Sequence, residues 1–271
     1  RLVSGVGDRG QRDRPGGFGV FAIGRNHPVL REALTSVLDS ELPNLVQLDV
    51  STLAGVLAER LLEQVPYLDK VFFANSGSEA NDTAVKLIWY AANALGRPNK
   101  KKIISRVRGY HGVTVYSGSL TSQPINHADW DLPLGGVLRT DAPSHYIYGL
   151  PGESETAFVD RIVGNLENLI LREGPETIGA FIAEPVNGGG GVIVPPPGYF
   201  AKVQEVLRRY DILFIADEVI CGFGRTANMF GCETFKLKPD MITVAKALSS
   251  AYLPISALMI GEPIWQALIR Q

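Results

Sequence analysis

Lys246 stands at the end of the apolar run "MITVA". Lysine is among the residues least often fully buried, so this one either snorkels to water or is an amine that chemistry uses. Four other strand-like runs lead to reactive or glycine-rich residues in the same way. "KVFFA" runs into Asn75-Ser76-Gly77-Ser78, and "KKIISRV" leads to Gly109-Tyr110-His111-Gly112. "GAFIA" ends on Glu184-Pro185 and "ILFIA" on Asp217-Glu218. Gly77 lets a backbone come close to a ligand, and Ser78 can cap the helix that follows. Free N–H groups at such a helix start suit a phosphate, although an ordinary capped helix uses the same letters. Asp217 closes a strand of Ile, Leu and Phe, where a carboxylate needs a cation or hydrogen-bond donors. Arg225 is one candidate partner, and a protonated ring nitrogen is another. Tyr110 is either a core aromatic or a plate for a planar ring. Glu184 before Pro185 is open to a structural role.

These residues can act together only if the fold gathers them. "LAGVLAERLLEQV" predicts a helix with Leu53, Val56, Leu57, Leu61 and Val65 on one face. "SGSEANDTAVKLIWYAANAL" predicts another, buried through Ala80, Ala84, Leu87, Ile88 and Ala91. A third turns Phe158, Ile162, Leu166 and Leu169 inward and ends near Gly174, and "GYFAKVQEVLRRYD" is a fourth. The stretch from Ser119 to Gly152, rich in Pro, Gly, Asp and Ser, reads as long surface excursions. Residues 1–17 read as a flexible arm. The strands are continuously apolar and alternate with helices. That pattern predicts an α/β fold, a mostly parallel sheet sandwiched by helices. Ligands of such sheets bind beyond the carboxyl ends of the strands, so the five chemical elements should share one rim. A phosphate cradle, a buried carboxylate, an aromatic plate and an amine match pyridoxal 5'-phosphate, which needs all four.

Composition sets the outer bounds. The chain has 271 residues, 45% hydrophobic and 20% charged, with net charge −2, enough for a large core. That near-neutral balance gives no reason to expect nucleic acid or an anionic membrane as partner. His27, His111, His127 and His145 lie apart without HxxxH or HExxH spacing, so no metal site is expected. Cys221 and Cys232 form no CxxC pair and read as reduced core thiols. No apolar run approaches a membrane span, and the first residues lack the apolar core of a signal peptide. The expectation is a cytoplasmic protein.

The stretches "FFANSGSEANDTAVKL", "GYHGVT", "FIAEPVNGGGGVIVPPPGYF", "ADEVICGFGRT" and "DMITVAKALSSAYLPISA" carry a resemblance. In their order and type the chain resembles the class III pyridoxal-phosphate-dependent aminotransferases of fold type I, most closely the ω-transaminases. The resemblance implies a Schiff base between Lys246 and the cofactor, with phosphate contacts from Gly77 and Ser78. It implies Tyr110 stacked on the ring, Val219 on the opposite face, and Asp217 bonded to the ring nitrogen. His111 follows the stacking tyrosine, and Glu184 sits beside the cofactor. It also implies transfer of an amino group from an amine or ω-amino acid to a keto acid such as pyruvate, in a homodimer with shared active sites. Residues 1–50 correspond to an N-terminal arm and partial N-terminal segment. Residues 51–271 correspond to the large domain, cut short before the family's small C-terminal domain. Arg25 stands where a histidine is usual. An aminomutase, a racemase, a decarboxylase of the same family, or a non-catalytic dimer scaffold would share much of this pattern.

Overall fold

The computed structural model describes residues 19–39 and 52–270, so the arm expected over residues 1–17 lies outside it. The helices α1 (Pro28–Leu38) and α2 (Thr52–Glu63) come first. β1 (Lys70–Ala74), α3 (Gly77–Ala94), β2 (Lys102–Arg106), α4 (Val115–Leu120) and β3 (Val137–Thr140) follow. α5 (His145–Tyr148), α6 (Glu155–Glu173), β4 (Ile178–Ala183), α7 (Tyr199–Arg209) and β5 (Leu213–Asp217) continue the alternation. Last come α8 (Gly231–Thr234), β6 (Met241–Val244), β7 (Ser256–Ile260) and α9 (Glu262–Ile269).

Seven strands form one sheet in the order β1-β7-β6-β5-β4-β2-β3. The β2–β3, β2–β4, β4–β5 and β5–β6 pairs are parallel, and β7 is antiparallel to both β6 and β1. Since β1 opposes β7 and β7 opposes β6, β1 points the same way as β6. The expected, mostly parallel sheet is therefore present, with β7 as its exception. Between Val244 and Ser256 the chain holds only a short 3₁₀ turn at Lys246–Leu248. A parallel neighbour needs a longer crossover, usually a helix, so the chain returns antiparallel.

Side-chain parity divides the strands between two cores. Phe181 and Ala183 of β4, with Phe214 and Ala216 of β5, face α6 and α7 through Phe158, Ile162, Leu166, Val203 and Leu207. Ala180 and Ile182, with Ile215 and Met241, face α3 and α9 through Ala84, Val85, Ile88 and Ile264. All six residues of β4 are buried, as a central parallel strand requires.

Two local expectations change. In α2, Leu61 is buried, as is Val65 just past its end, but Leu53 and Val56 are exposed, because only the second half of the helix packs on the core. The stretch Ser119–Gly152 is not all surface excursion: β3 joins the sheet edge beside β2, and Leu120 and Thr121 are fully buried. β3 is short and half polar, so it leaves no periodic signature in the sequence.

Candidate active site

The strand ends converge on a cleft of about 150 Å³. Its lining contains every residue singled out above: Gly77, Ser78, Tyr110, His111, Glu184, Asp217, Val219 and Lys246. Asn81, Gly112, Ile220 and Ala245 complete it.

At one end of the cleft, α3 begins with Ser76 as its cap, not Ser78. The Ser76 hydroxyl accepts from Glu79 N at 3.2 Å, and the Glu79 carboxylate accepts from Asn75 N at 2.7 Å. The first bond satisfies one orphan donor of the helix start, and the second ties the residue before the cap to the same turn. The N–H groups of Gly77 and Ser78 have no partner among the described residues. The Oγ of Ser78 accepts instead from Val113 N at 3.0 Å, which leaves its own proton free to donate. Two open N–H groups, a hydroxyl and the positive end of an eighteen-residue helix make an anion site. Gly112, at φ 140°, brings its backbone against the hydroxyls of Ser78 and Ser117, where any Cβ would collide.

Asp217, 2% exposed, ends β5 at the other side. Its Oδ2 accepts from Asn81 Nδ2 at 2.9 Å and lies 2.8 Å from His111 Nδ1. Its Oδ1 accepts from Val219 N at 3.1 Å. The bond to a carboxylate places the His111 proton on Nδ1, and His111 Nε2 is buried without a partner. Arg225 does not pair with Asp217; it donates to the Gly19 carbonyl at 2.9 Å.

Glu184 serves as a bracket. Its carboxylate accepts from Tyr110 N at 3.1 Å and from Gly188 N at 2.9 Å, and its carbonyl takes the buried Arg106 guanidinium. Burial raises its proton affinity above the usual carboxylate range. Lys246 adopts φ 43°, uncommon for a residue with a side chain. Its Nζ lies 5.9 Å from the centroid of the Tyr110 ring and has no hydrogen-bond or ion-pair partner among the described residues. Burial lowers its pKa; Asp217 and Glu184 act in the opposite sense and do not overcome it. The result is an amine biased toward its neutral, nucleophilic form, with a carboxylate and an anion cradle in the same cleft.

The sequence pattern did not single out Asn81 or Thr243. Asn81 lies four residues after Gly77, one turn along the same face of α3, and Thr243 lies three before Lys246. It also left the role of the segment before α1 open. Ile23 N donates to Ser250 Oγ and His27 N to the Tyr252 hydroxyl, so residues 19–27 are pinned to the loop after Lys246.

A family model described as "Aminotransferase class-III" matches residues 2–270. "Gamma aminobutyrate transaminase 2" of Solanum lycopersicum is 49% identical over 272 residues, 99% of this chain and 59% of the relative. "Vanillin aminotransferase" of Capsicum chinense is 58% identical over 202 residues, 74% of this chain and 44% of the relative. A solved omega transaminase of Pseudomonas jessenii, in complex with PMP, superposes with a TM-score of 0.90 at 52% identity, covering 93% of this chain and 56% of that one. The chain thus spans about half the length of these proteins, from 44% to 59%. Class-III aminotransferases use pyridoxal phosphate, and the cleft offers open N–H groups at a helix start, a buried carboxylate and an unpaired amine, a donor set that fits it. With the family model running almost end to end and the sheet superposing on a solved member, the chain belongs to the class-III aminotransferase family.

Proposed function

We propose that this protein is a transaminase that moves an amino group from a primary amine or ω-amino acid to a keto acid such as pyruvate. The observation that carries this reading is the unpaired, half-buried amine of Lys246 beside the Tyr110 ring, in a cleft shared with Asp217. Gly77 and Ser78 would hold the cofactor phosphate, Asp217 its ring nitrogen, and Tyr110 and Val219 its ring; Lys246 would be the point of covalent attachment. When bound, pyridoxal phosphate supplies an aldehyde that accepts the amino group and a ring that withdraws electrons from the reacting carbon. Lys246 Nζ, whose pKa burial lowers from the ordinary lysine value, takes a proton from the substrate carbon and gives it back. The Asp217 carboxylate holds the proton at the ring nitrogen, and His111 and Asn81 hold the carboxylate. Glu184 fixes the backbone of Tyr110 and of Gly188, and so the plate and the loop beside it.

Residues 51–271 act as the cofactor-binding large domain in this reading, and residues 1–50 as an N-terminal arm and partial N-terminal segment, of which Ile23 and His27 bond to the loop after Lys246. The printed names of the relatives, a γ-aminobutyrate and a vanillin enzyme, support donors and products with an amine at a chain end. A homodimer is the proposed assembly, supported by the exposed apolar side chains Val113, Ile125, Trp130 and Tyr146. No helix among the described residues is long and apolar enough to cross a membrane. Two free, buried thiols fit a reducing compartment such as the cytoplasm, while two relatives are named mitochondrial and chloroplastic; cell fractionation separates these. The intact constellation argues against a non-catalytic scaffold. Borohydride treatment of the cofactor-loaded protein, followed by peptide mapping, should place the pyridoxyl group on Lys246. A label on Lys86 or Lys202 instead refutes the assignment. A panel of amines with pyruvate or α-ketoglutarate then names the substrates.

A further inference from the structure

Asn81 is a neutral, fully buried side chain at the floor of the cleft. Its Nδ2 donates to the His111 carbonyl at 2.7 Å and to Asp217 Oδ2 at 2.9 Å. Its Oδ1 lies 2.9 Å from the hydroxyl of Thr243, itself fully buried in β6. Chemistry fixes the direction of every bond. A carbonyl and a carboxylate only accept, so the amide NH₂ must face them and its oxygen must face Thr243, which donates. The amide therefore has one orientation, and its donors converge on the oxygen of Asp217 that His111 also occupies. Oδ1, bonded to Val219 N alone, is the carboxylate oxygen with capacity to spare.

We propose that Asn81 is a positioning residue for Asp217: its amide, aimed by Thr243, holds Oδ2 in place and so turns Oδ1 toward the cleft. The inference rests on the reading that Asp217 serves the cofactor ring nitrogen. Asn81 does more than fill space, because it bridges three strand ends. It ties α3, which carries the anion cradle, to the His111 loop, to β5 through Asp217, and to β6 three residues before Lys246. A displacement of any one of these elements costs it a bond.

Other groups act on the same carboxylate. His111 and Tyr110 face it from the loop after β2, Glu184 from the end of β4, and Lys246 from the end of β6. Glu218 and Cys221 act on it from its own segment. Asn81 is the side-chain donor to Asp217 that does not titrate, so its removal changes hydrogen bonding without changing net charge.

The test titrates the ¹³C-labelled Asp217 carboxyl by NMR in cofactor-free protein. Asn81→Leu removes a donor to the charged form, so the midpoint should rise by about one unit, a tenfold change in proton affinity. Asn81→Asp keeps the shape and puts a second carboxyl at the same contact. The pair should then share one proton, with its upper step well above the usual carboxylate range. An unmoved midpoint in Asn81→Leu overturns the proposal. If that variant does not fold, two ordinary carboxyl titrations in Asn81→Asp overturn it instead. A second arm loads each protein with pyridoxal phosphate labelled with ¹⁵N in its ring. In Asn81→Leu the proton should shift from the ring nitrogen toward Asp217, moving the ¹⁵N resonance toward that of neutral pyridine. If the carboxyl midpoint moves and the ring resonance does not, Asn81 holds Asp217 as proposed, but Asp217 is not the ring-nitrogen partner.

Discussion

Asp217→Asn keeps the outline of the side chain and removes its charge, so its cost can be worked out from three bonds. The carboxylate accepts from Asn81 Nδ2, His111 Nδ1 and Val219 N. A carboxamide has one oxygen to offer. With that oxygen toward Asn81 and His111, its NH₂ meets the Val219 N–H; turned around, it opposes two donors. The first orientation is the cheaper one, and it leaves the Val219 N–H unpaired at a cost of about 1–3 kcal/mol. In that orientation the cleft side presents an NH₂, which repels a protonated ring nitrogen. Loss of a charge-assisted hydrogen bond there costs about 1.5–3 kcal/mol, so affinity for pyridoxal phosphate should fall roughly ten- to a hundredfold. Turnover should fall by at least about a hundredfold, equivalent to about 2.7 kcal/mol of barrier, because the ring no longer withdraws electrons as a cation. Denaturant unfolding of the cofactor-free protein reads the first effect, fluorescence titration the second, and initial rates with an amine and pyruvate the third. Turnover within threefold of the parent protein's, in a variant that has lost no stability, would refute the assignment of Asp217.

Three further outcomes are expected. In Gly77→Ala the new Cβ would lie 3.0 and 3.2 Å from the Val219 methyls and 3.6 Å from Ala245 Cβ. Stability should change by less than about 1 kcal/mol, since helix propensity offsets the contact, while affinity for pyridoxal phosphate falls about tenfold as Val219 is pushed; equal affinity contradicts the crowding. Burial holds Lys246 below the ordinary lysine range, and only the neutral amine attacks an aldehyde. The pH midpoint of cofactor attachment, followed by absorbance, should therefore lie below that of a free lysine side chain with the same aldehyde. The hydrogen bond from Arg161 is the main cause that brings the Glu153 carboxyl down from 4.5 to about 2. A depressed carboxyl stabilises the fold above 4.5 and loses that contribution as pH falls toward about 2. Arg161→Gln should flatten the dependence of urea stability on pH across that window, and an unchanged slope would show that the pair carries no linkage.

Much of this site is legible in the sequence, for a physical reason. Apolar runs that end on Lys246, Asp217 and Glu184 are conspicuous because charge at the end of a buried strand is costly unless a partner or ligand meets it. Parallel topology then places such ends together, and β1, though its partner is β7, points the same way as β6. What stayed hidden depends on side-chain direction. Ser76, not Ser78, caps α3, because Ser78 is drawn to the backbone of Val113 across the cleft, a contact 35 positions away. β7 escaped notice because "SALMI" reads as any apolar run, and its antiparallel sense depends on the length of the connection before it. In the sequence Asn81 is one polar residue of a helix; its role comes from partners at positions 111, 217 and 243, which no local pattern brings together.

The arrangement of charge in the cleft sorts these groups by how each is tied down. Three buried carboxyls and one amine stand at or beside the rim, and burial raises the proton affinity of Glu184 and Glu218 and lowers that of Lys246. Glu218 is held by the N–H groups of Gly231 and Cys232, at 3.0 and 2.6 Å, and Glu184 by those of Tyr110 and Gly188. Both are fixed to backbone and steady the loops around the cleft. Asp217 is held mainly by side chains that face it from α3 and the loop after β2, and it keeps one oxygen lightly bonded. Lys246 Nζ is tied to nothing among the described residues. A frame in which the carboxyls are anchored and only the amine is free leaves the amine as the group able to change partners. Transfer of an amino group requires that freedom: the same nitrogen must hold the aldehyde, release it to a substrate and stay close enough to move a proton. The left-handed turn at Lys246 fits this demand, since a strained backbone persists where the surrounding structure fixes it. Here the surroundings are the ordered end of β6 on one side and, on the other, the loop that Ile23 and His27 pin through Ser250 and Tyr252.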